Sequence, residues 1–230
     1  MSKVLLWLFS HRFLAIGRWD IHFLLLRLRN ALTGQRTRIA MFMASRGSPR
    51  YLNLGSGPRG LDDVHWVNVD GFADKNVHFL IDISRALPFP DESFDGAFCE
   101  HVLEHFSLDN AIKISREIKR ILRPGGVFRV IVPNAEYVVR MYLEKPRELI
   151  AYRGSADAGE TAMEVVNSFF RQRYEHQFLY DWMTMEKMLI NAGFDKVSRV
   201  QFGVSVHLQA IALDDAKYEL ESLYVEALKQ

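Results

Sequence analysis

Apolar residues along this chain follow two spacings, and the alternation between them predicts a wound α/β sheet. Short apolar runs bounded by Gly, Pro, Asn, Asp or Ser predict strands at Tyr51–Leu54, Trp66–Val69, Val77–Ile81 and Phe94–Cys99. A long helix should follow, with Ser107 as its cap, Asp109 in its first turn, and Leu108, Ala111, Ile112, Ile118, Ile121 and Leu122 on one face. Arg123-Pro124-Gly125-Gly126 ends it. The largely β-branched run Val127–Val132 then reads as a parallel strand buried on both faces. Residues 135–180 are helix-compatible, rich in Arg, Tyr and Phe, and too long for a plain connection, which marks them as a helical insertion over the substrate. Asp181–Ala192 has the pattern of a further helix, capped by Asp181 and stopped by Gly193, while Asp195–Phe202 and Ser222–Leu228 read as closing strands. The expected class is α/β, a mostly parallel sheet with helices on both faces.

Before residue 47 the pattern changes. Ser45–Arg50 is a polar break containing Gly47 and Pro49, and it divides the chain into a helical segment, 1–46, and a domain, 47–230. In the first, His11, Arg18, His22, Arg29 and Arg36 are spaced by seven, four, seven and seven residues and share one side of a helix. Trp7, Phe13, Leu14, Leu24 and Leu25 dominate the other faces. Such a basic amphipathic helix rests on an anionic membrane surface, or packs on the globular part or on a second copy in a homodimer. His11, Arg12, Arg18, Asp20 and Arg27 interrupt every apolar run from Val4 to Arg29, so no span is expected. Val4–Phe9 is too short for a secretory signal.

Composition narrows the class. A chain of 230 residues that is 49% hydrophobic can build one good core plus an appendage. Its single cysteine, Cys99, lies in a predicted strand, which excludes a disulfide framework and fits a reducing, cytoplasmic setting, with residues 1–46 as the peripheral contact to an inner membrane face. The net charge of +1 hides an asymmetry. Residues 1–50 hold nine Lys or Arg against Asp20 alone, leaving 20 bases against 27 acids in the remainder, so nucleic acid is not expected across the catalytic part.

Candidate chemistry begins at Asn53-Leu54-Gly55-Ser56-Gly57-Pro58-Arg59-Gly60. Glycines at a strand end let the backbone approach a ligand without a Cβ in the way, although a Gly-Ser-Gly turn can also be only a turn. Asp70, ending the second strand, can accept from both ribose hydroxyls of a nucleoside or can cap the turn at Gly71-Phe72. Asp82 can accept from an adenine amino group or stay solvated.

Together with Leu87-Pro88-Phe89-Pro90, Ser93-Phe94-Asp95, Glu100-His101-Val102-Leu103-Glu104-His105 and Ile121-Leu122-Arg123-Pro124-Gly125-Gly126, these pieces resemble the class I S-adenosylmethionine-dependent methyltransferases of the type 11-like branch. The resemblance spans residues 51–134 and, loosely, 177–230. It implies a Rossmann-like methyltransferase fold and S-adenosylmethionine as cofactor. By position, Gly55, Ser56 and Gly57 would cradle the methionine part, Asp70 the ribose, and Asp82 with Ile83 the adenine, with Asn53 and the backbone at Cys99 and Glu100 near the methionine ammonium. Asn53 departs from the acid usual there. The path from Gly57 to Asp70 is also too short for a full helix, so the N-terminal segment is expected to cover that sheet face. The tail, 220–229, resembles a bacterial subgroup associated with surface polysaccharide synthesis, which implies a small-molecule or glycan acceptor.

Methyl transfer needs an aligned acceptor and a base for its proton, and histidine suits that task near neutral pH. His105 is the first candidate, His176 the second, and His101 the third, and such a set favours an oxygen acceptor. His101, Glu104 and His105 would also share a helical face with metal-ligand character, and some members with a related cluster use magnesium or manganese, but the site is read as metal-free. Two rivals remain open. A nicotinamide-dependent oxidoreductase would share the glycine loop and Asp70 but not the later motifs. A non-catalytic membrane-associated module would suit Asn53.

Overall fold

Seven strands form one sheet in the order β3-β2-β1-β4-β5-β7-β6. The structure, a computed structural model, describes residues 17–153 and 160–230. β1 (Tyr51–Leu54), β2 (Trp66–Asp70), β3 (Phe79–Leu80), β4 (Phe94–Glu100) and β5 (Leu122–Pro133) run parallel. β7 (Ser222–Leu228) enters antiparallel between β5 and β6 (Lys196–Val200). This is the Rossmann-like wound α/β arrangement that the sequence led us to expect, and its order reverses between β1 and β4. At such a switch point the neighbouring connections leave to opposite sides, and the carboxyl ends of the strands open a crevice.

The helices of the described residues are α1 (Arg18–Leu32), α2 (Gln35–Ala44), α3 (Leu108–Ile121), α4 (Ala135–Glu144), α5 (Pro146–Arg153), α6 (Ala162–Arg171) and α7 (Trp182–Asn191). The caps follow the sequence. Ser107 accepts from the Asn110 N–H, Asp181 accepts from the Thr184 N–H, and Gly193 leaves α7 at φ +98°. Several strands differ from their expected limits. The third shrinks to Phe79–Leu80, whereas β5 starts at Leu122, which pairs with Phe94 across a register shift. Arg123-Pro124-Gly125-Gly126 therefore ends the helix from within a strand.

Alternation along the strands sorts the core into two faces. Leu52, Leu54, Val67, Val69, Cys99, Phe128 and Val130 face one side, where Ile39 and Met43 of α2 join Ile114 and Ile118 of α3 and Met185 and Leu189 of α7. Ile39 is fully buried, worth at most about 1.5–3 kcal/mol toward docking α2. Tyr51, Trp66, Phe98, Val127, Ile131 and Tyr224 face the other side. Leu61, Leu208, Ile211 and Leu213 cover them. The expected cover for the missing helix after β1 is thus corrected. Right-handed crossovers place the β1–β2 connection opposite α3, and that face is closed by Leu61, Phe202, Leu208, Ile211 and Leu213 while α2 packs on the same face as α3 and α7.

One arginine pins that covering segment. Arg129, fully buried on β5, donates from Nε to Asp214 Oδ1 at 2.6 Å, from Nη1 to Glu226 Oε1 at 2.9 Å, from Nη2 to Asp214 Oδ2, and to the carbonyls of Gln201 and Val204.

α1 lies across the ends of β2 and β3. His22 Nε2 is 2.8 Å from the Gly71 carbonyl and its ring stacks on Phe72 at 4.5 Å, while Asn30 and Gln35 donate to the Leu80 carbonyl. His22 therefore leaves the basic stripe, whose Arg18, Arg29 and Arg36 are exposed. His11, Arg12, Trp7, Phe13, Leu14 and the run Val4–Phe9 lie outside the described residues. Outward, α1 shows Ile21, Leu24, Leu25, Leu28 and Leu32. No helix among the described residues is long and apolar enough to cross a membrane.

α4, α5 and α6 form a separate small core of Val138, Leu149, Ala162, Val165 and Phe169. A parallel bridge between Asn134 and Tyr180, with the Ala135 N–H bonded to the Tyr180 carbonyl at 3.0 Å, brings the two ends of this excursion together.

Candidate functional site

The crevice opens into a cleft of about 660 Å³ walled by residues 55–61, the end of β4, and residues 213–218. Gly55 turns out of β1 at φ +70°, and a Cβ there would stand 2.3 Å from Val102 Cγ2. Gly57, at φ +47°, has open space where its Cβ would be. Only glycine meets both demands without strain. Asp70 braces the turn, accepting the Gly57 N–H at 2.9 Å on Oδ2 and the Phe72 N–H at 2.8 Å on Oδ1. Ser56 Oγ is buried with no hydrogen-bond partner among the described residues.

Opposite the turn, Arg59 donates to Glu100 and, at 2.7 Å, to the Leu213 carbonyl, and lies 3.7 Å from Asp215 Oδ2. Glu100 Oε1 also accepts the Asp215 N–H at 2.8 Å. Asn53 faces the cleft and donates toward the Arg59 carbonyl and Asn68 Oδ1, both at 3.3 Å.

His101 completes the wall in the left-handed region, φ +53°, which a side chain-bearing residue adopts only when its surroundings hold it there. Its Nδ1 is 3.2 Å from Glu104 Oε1, its Nε2 is 3.1 Å from Ser222 Oγ, and its ring lies 4.2 Å from that of Tyr218. Glu104 is fully buried and its Oε2 has no hydrogen-bond partner among the described residues.

His105 and His176 do not line this cleft. They meet each other behind it, ring centroids 5.1 Å apart, with His105 Nδ1 3.2 Å from the Glu175 carbonyl and His176 Nδ1 2.6 Å from the Phe169 carbonyl. The backbone N–H groups of Gln177 and Phe178 bond the Glu104 carbonyl, lacing the end of the insertion to the segment after β4. Burial lowers the His176 pKa from its usual value, opposed by the Glu104 carboxylate. Burial and then Glu104 push the Tyr180 phenol up, and burial pushes the Cys99 thiol well up.

Of the residues named from sequence, Asn53, Gly55, Ser56, Gly57, Glu100 and His101 come together around the cleft. Asp70 stands behind the glycine turn. Asp82 is turned elsewhere, its carboxylate 2.7 Å from Arg27 and bonded to the Ser84 N–H and hydroxyl at 3.1 and 2.6 Å, and Ile83 and Cys99 are buried in the core. The expected helical face shared by His101 and His105 does not form, because His101 leaves β4 with a left-handed turn and only Leu103–His105 makes a 3₁₀ turn. Asp215, Lys217 and Tyr218 of the wall carried no sequence signal, lying in or after turns without periodicity, and Arg59 stood within the glycine stretch without a role of its own.

Residues 65–130, from the start of β2 into β5, match the family described as Methyltransferase domain. The ubiquinone/menaquinone biosynthesis C-methyltransferase UbiE of Hydrogenovibrio crunogenus is 28% identical over 121 residues, 53% of this chain and 46% of its own length. The uncharacterized methyltransferase YcgJ of Bacillus subtilis is 39% identical over 57 residues, 25% of this chain and 22% of its own. Among solved structures, the 1,6-didemethyltoxoflavin-N1-methyltransferase of Burkholderia thailandensis, with bound 1,6-didemethyltoxoflavin and S-adenosylhomocysteine, aligns over 96% of this chain and 91% of its own at 15% identity, with a TM-score of 0.49. The chain spans about half or less of the length of the curated relatives it matches.

Proposed function

We propose that this chain is an S-adenosylmethionine-dependent methyltransferase. The observation that carries it is a glycine turn, braced by the acid ending β2, at the mouth of a switch-point cleft, within a chain whose residues 65–130 match a methyltransferase domain. The fit to the cofactor rests on three details. Gly57 leaves room for a ligand against the backbone, Ser56 Oγ is buried with no partner among the described residues, and Asp70 has used one site on each oxygen, leaving capacity for ribose hydroxyls. Gly55, Ser56 and Gly57 would hold the methionine part, and Asn53 with Glu100 its ammonium. Asp82 is left out, because Arg27 and Ser84 already take its carboxylate.

Bound there, S-adenosylmethionine supplies an electrophilic methyl group on a good leaving group, so the chain must align the acceptor and accept its proton. His101 is the histidine of the three that reaches the cleft, which favours it over His105 and His176 as base. With its Nδ1–H donated to Glu104, its Nε2 lone pair faces the Ser222 hydroxyl, which an acceptor hydroxyl would displace, and the buried carboxylate steadies the imidazolium that forms. An oxygen acceptor makes most use of such a base. A glycan or glycolipid acceptor is favoured by the likeness of the tail, 220–229. Peripheral contact with an anionic surface is supported by the basic excess of residues 1–50 and the exposed apolar stripe of α1.

Calorimetric titration of the full chain with S-adenosylmethionine, S-adenosylhomocysteine and NADH tests this reading. Binding of the first two and not the third is expected, with Gly57→Val abolishing it by filling ligand space. NADH binding alone would favour the oxidoreductase, and binding without methyl transfer to any acceptor would favour the non-catalytic module.

A further inference from the structure

Behind the cleft wall the fold brings together three ligand-type groups from two distant parts of the chain. Glu104 and His105 belong to the turn after β4, and His176 to the end of the helical insertion. One ligand atom from each lies within 4.8 Å of the others. This trio differs from the set that spacing suggests, since His176 takes the place of His101. Two features point to a ligand. Glu104 is fully buried, one oxygen serves His101, and the other has no partner among the described residues. A buried carboxylate oxygen left bare is destabilising, and an opposing positive charge offsets that loss.

The imidazoles supply the second feature. His176 Nδ1 lies 2.6 Å and His105 Nδ1 3.2 Å from backbone carbonyls, which can only accept, so each Nδ1 carries the proton and each Nε2 keeps its lone pair. A ring N–H held by a carbonyl, with the other nitrogen free, is how metal-ligating histidines are oriented. The Tyr180 hydroxyl is a further buried polar atom without a hydrogen-bond partner among the described residues.

We infer that Glu104, His105 and His176 bind one divalent transition-metal ion, with Nε2 of each histidine and Oε2 of Glu104 as ligands. Small side-chain rotations bring donors within 4.8 Å to the separations that bonds of about 2.0–2.1 Å require. Two imidazoles and one carboxylate suit zinc, cobalt, iron or manganese, and disfavour magnesium, which prefers oxygen. Three protein ligands leave a coordination position for water or another oxygen. The ion would fasten the insertion to the sheet edge. Glu104 would then bridge metal and His101, linking this centre to the cleft. The inference stands apart from methyl transfer, since its readout is binding of the ion alone.

The test uses the untagged full chain, stripped with chelator and titrated calorimetrically with zinc, cobalt or magnesium. We expect one zinc or cobalt per chain, a rise in Tm on loading, and weak or no magnesium binding. His176→Gln and Glu104→Gln should lower zinc affinity by more than the roughly 10–100-fold lost when a supporting group is removed, and His207→Gln should leave it unchanged. Circular dichroism checks that the variants fold. If they do not, visible absorption of the cobalt-loaded parent, read for tetrahedral nitrogen–oxygen ligation, decides instead. No stoichiometric zinc binding, equal affinity in folded variants, or preference for magnesium would overturn the inference. Failure of zinc with intact S-adenosylmethionine binding would leave the methyltransferase reading in place.

Discussion

His101 is held in a left-handed backbone conformation between β4 and a 3₁₀ turn, with a ring nitrogen on each of two partners and Tyr218 against its ring. That conformation suits asparagine as well, so His101→Asn keeps the backbone and removes the base. Turnover should fall about 10²- to 10⁴-fold with little change in S-adenosylmethionine affinity, as single-turnover assays and calorimetry would show. Retained turnover would place the proton acceptor elsewhere. The glycine turn was legible beforehand because glycine is the residue that both a left-handed strand exit and open ligand space demand. His105 stood ahead of His101 in a sequence reading whose helical spacing would have turned both histidines the same way, a geometry that the left-handed turn at His101 prevents. The left-handed φ of His101 arises from contacts with Glu104, Ser222 and Tyr218, and no local pattern announces them.

Among the elements, the segment from Gln201 to Glu221 depends most on one residue. Its carbonyls at 201 and 204 and its Asp214 converge on Arg129, a cation buried in β5 beside Glu226 of β7. Arg129→Met would leave two buried carboxylates without their cation, held only by the Gly203 and Val206 N–H groups, and should cost about 3–5 kcal/mol in denaturant unfolding. Replacing Arg129, Asp214 and Glu226 together with apolar residues of similar volume should restore most of that loss. A single variant as stable as the parent would show the triad to be solvated. Helix and strand positions around this network were readable from apolar spacing, since α3, α7 and β7 each repeat a simple period. The network was not, because Arg129 and Asp214 lie 85 residues apart. The wall formed by residues 213–218 was hidden for the same reason.

For the whole molecule, the sheet order shows where the cleft opens, and the positions of the N-terminal helices show which face is left for the chain's irregular segments. The α/β class followed from alternation of strands and helices, but the face taken by α2 did not, because Ile39 and Met43 fit either side of a sheet equally well by pattern. α1 carries an exposed apolar stripe beside Arg18 and Arg29. Co-sedimentation with anionic vesicles should therefore exceed that with neutral ones and weaken as salt rises, each nearby Lys or Arg contributing about 1 kcal/mol. Equal recovery with both vesicle types would assign the stripe to protein contact.

The place of β7 bears on how the molecule comes into being. Among the described residues β6 pairs with β7 alone, and β5 finds its second neighbour only there. A ribosome releases β5 and β6 well before residues 222–228, so for that interval the nascent chain carries an open strand edge and a strand with nothing to join. Edges of that kind invite pairing with other chains. The parallel half can assemble while synthesis proceeds, but β5 and β6 keep an open edge until residues 222–228 follow, so a chain stopped before residue 222 should be less soluble than the full chain, as the soluble fraction of each on expression would show.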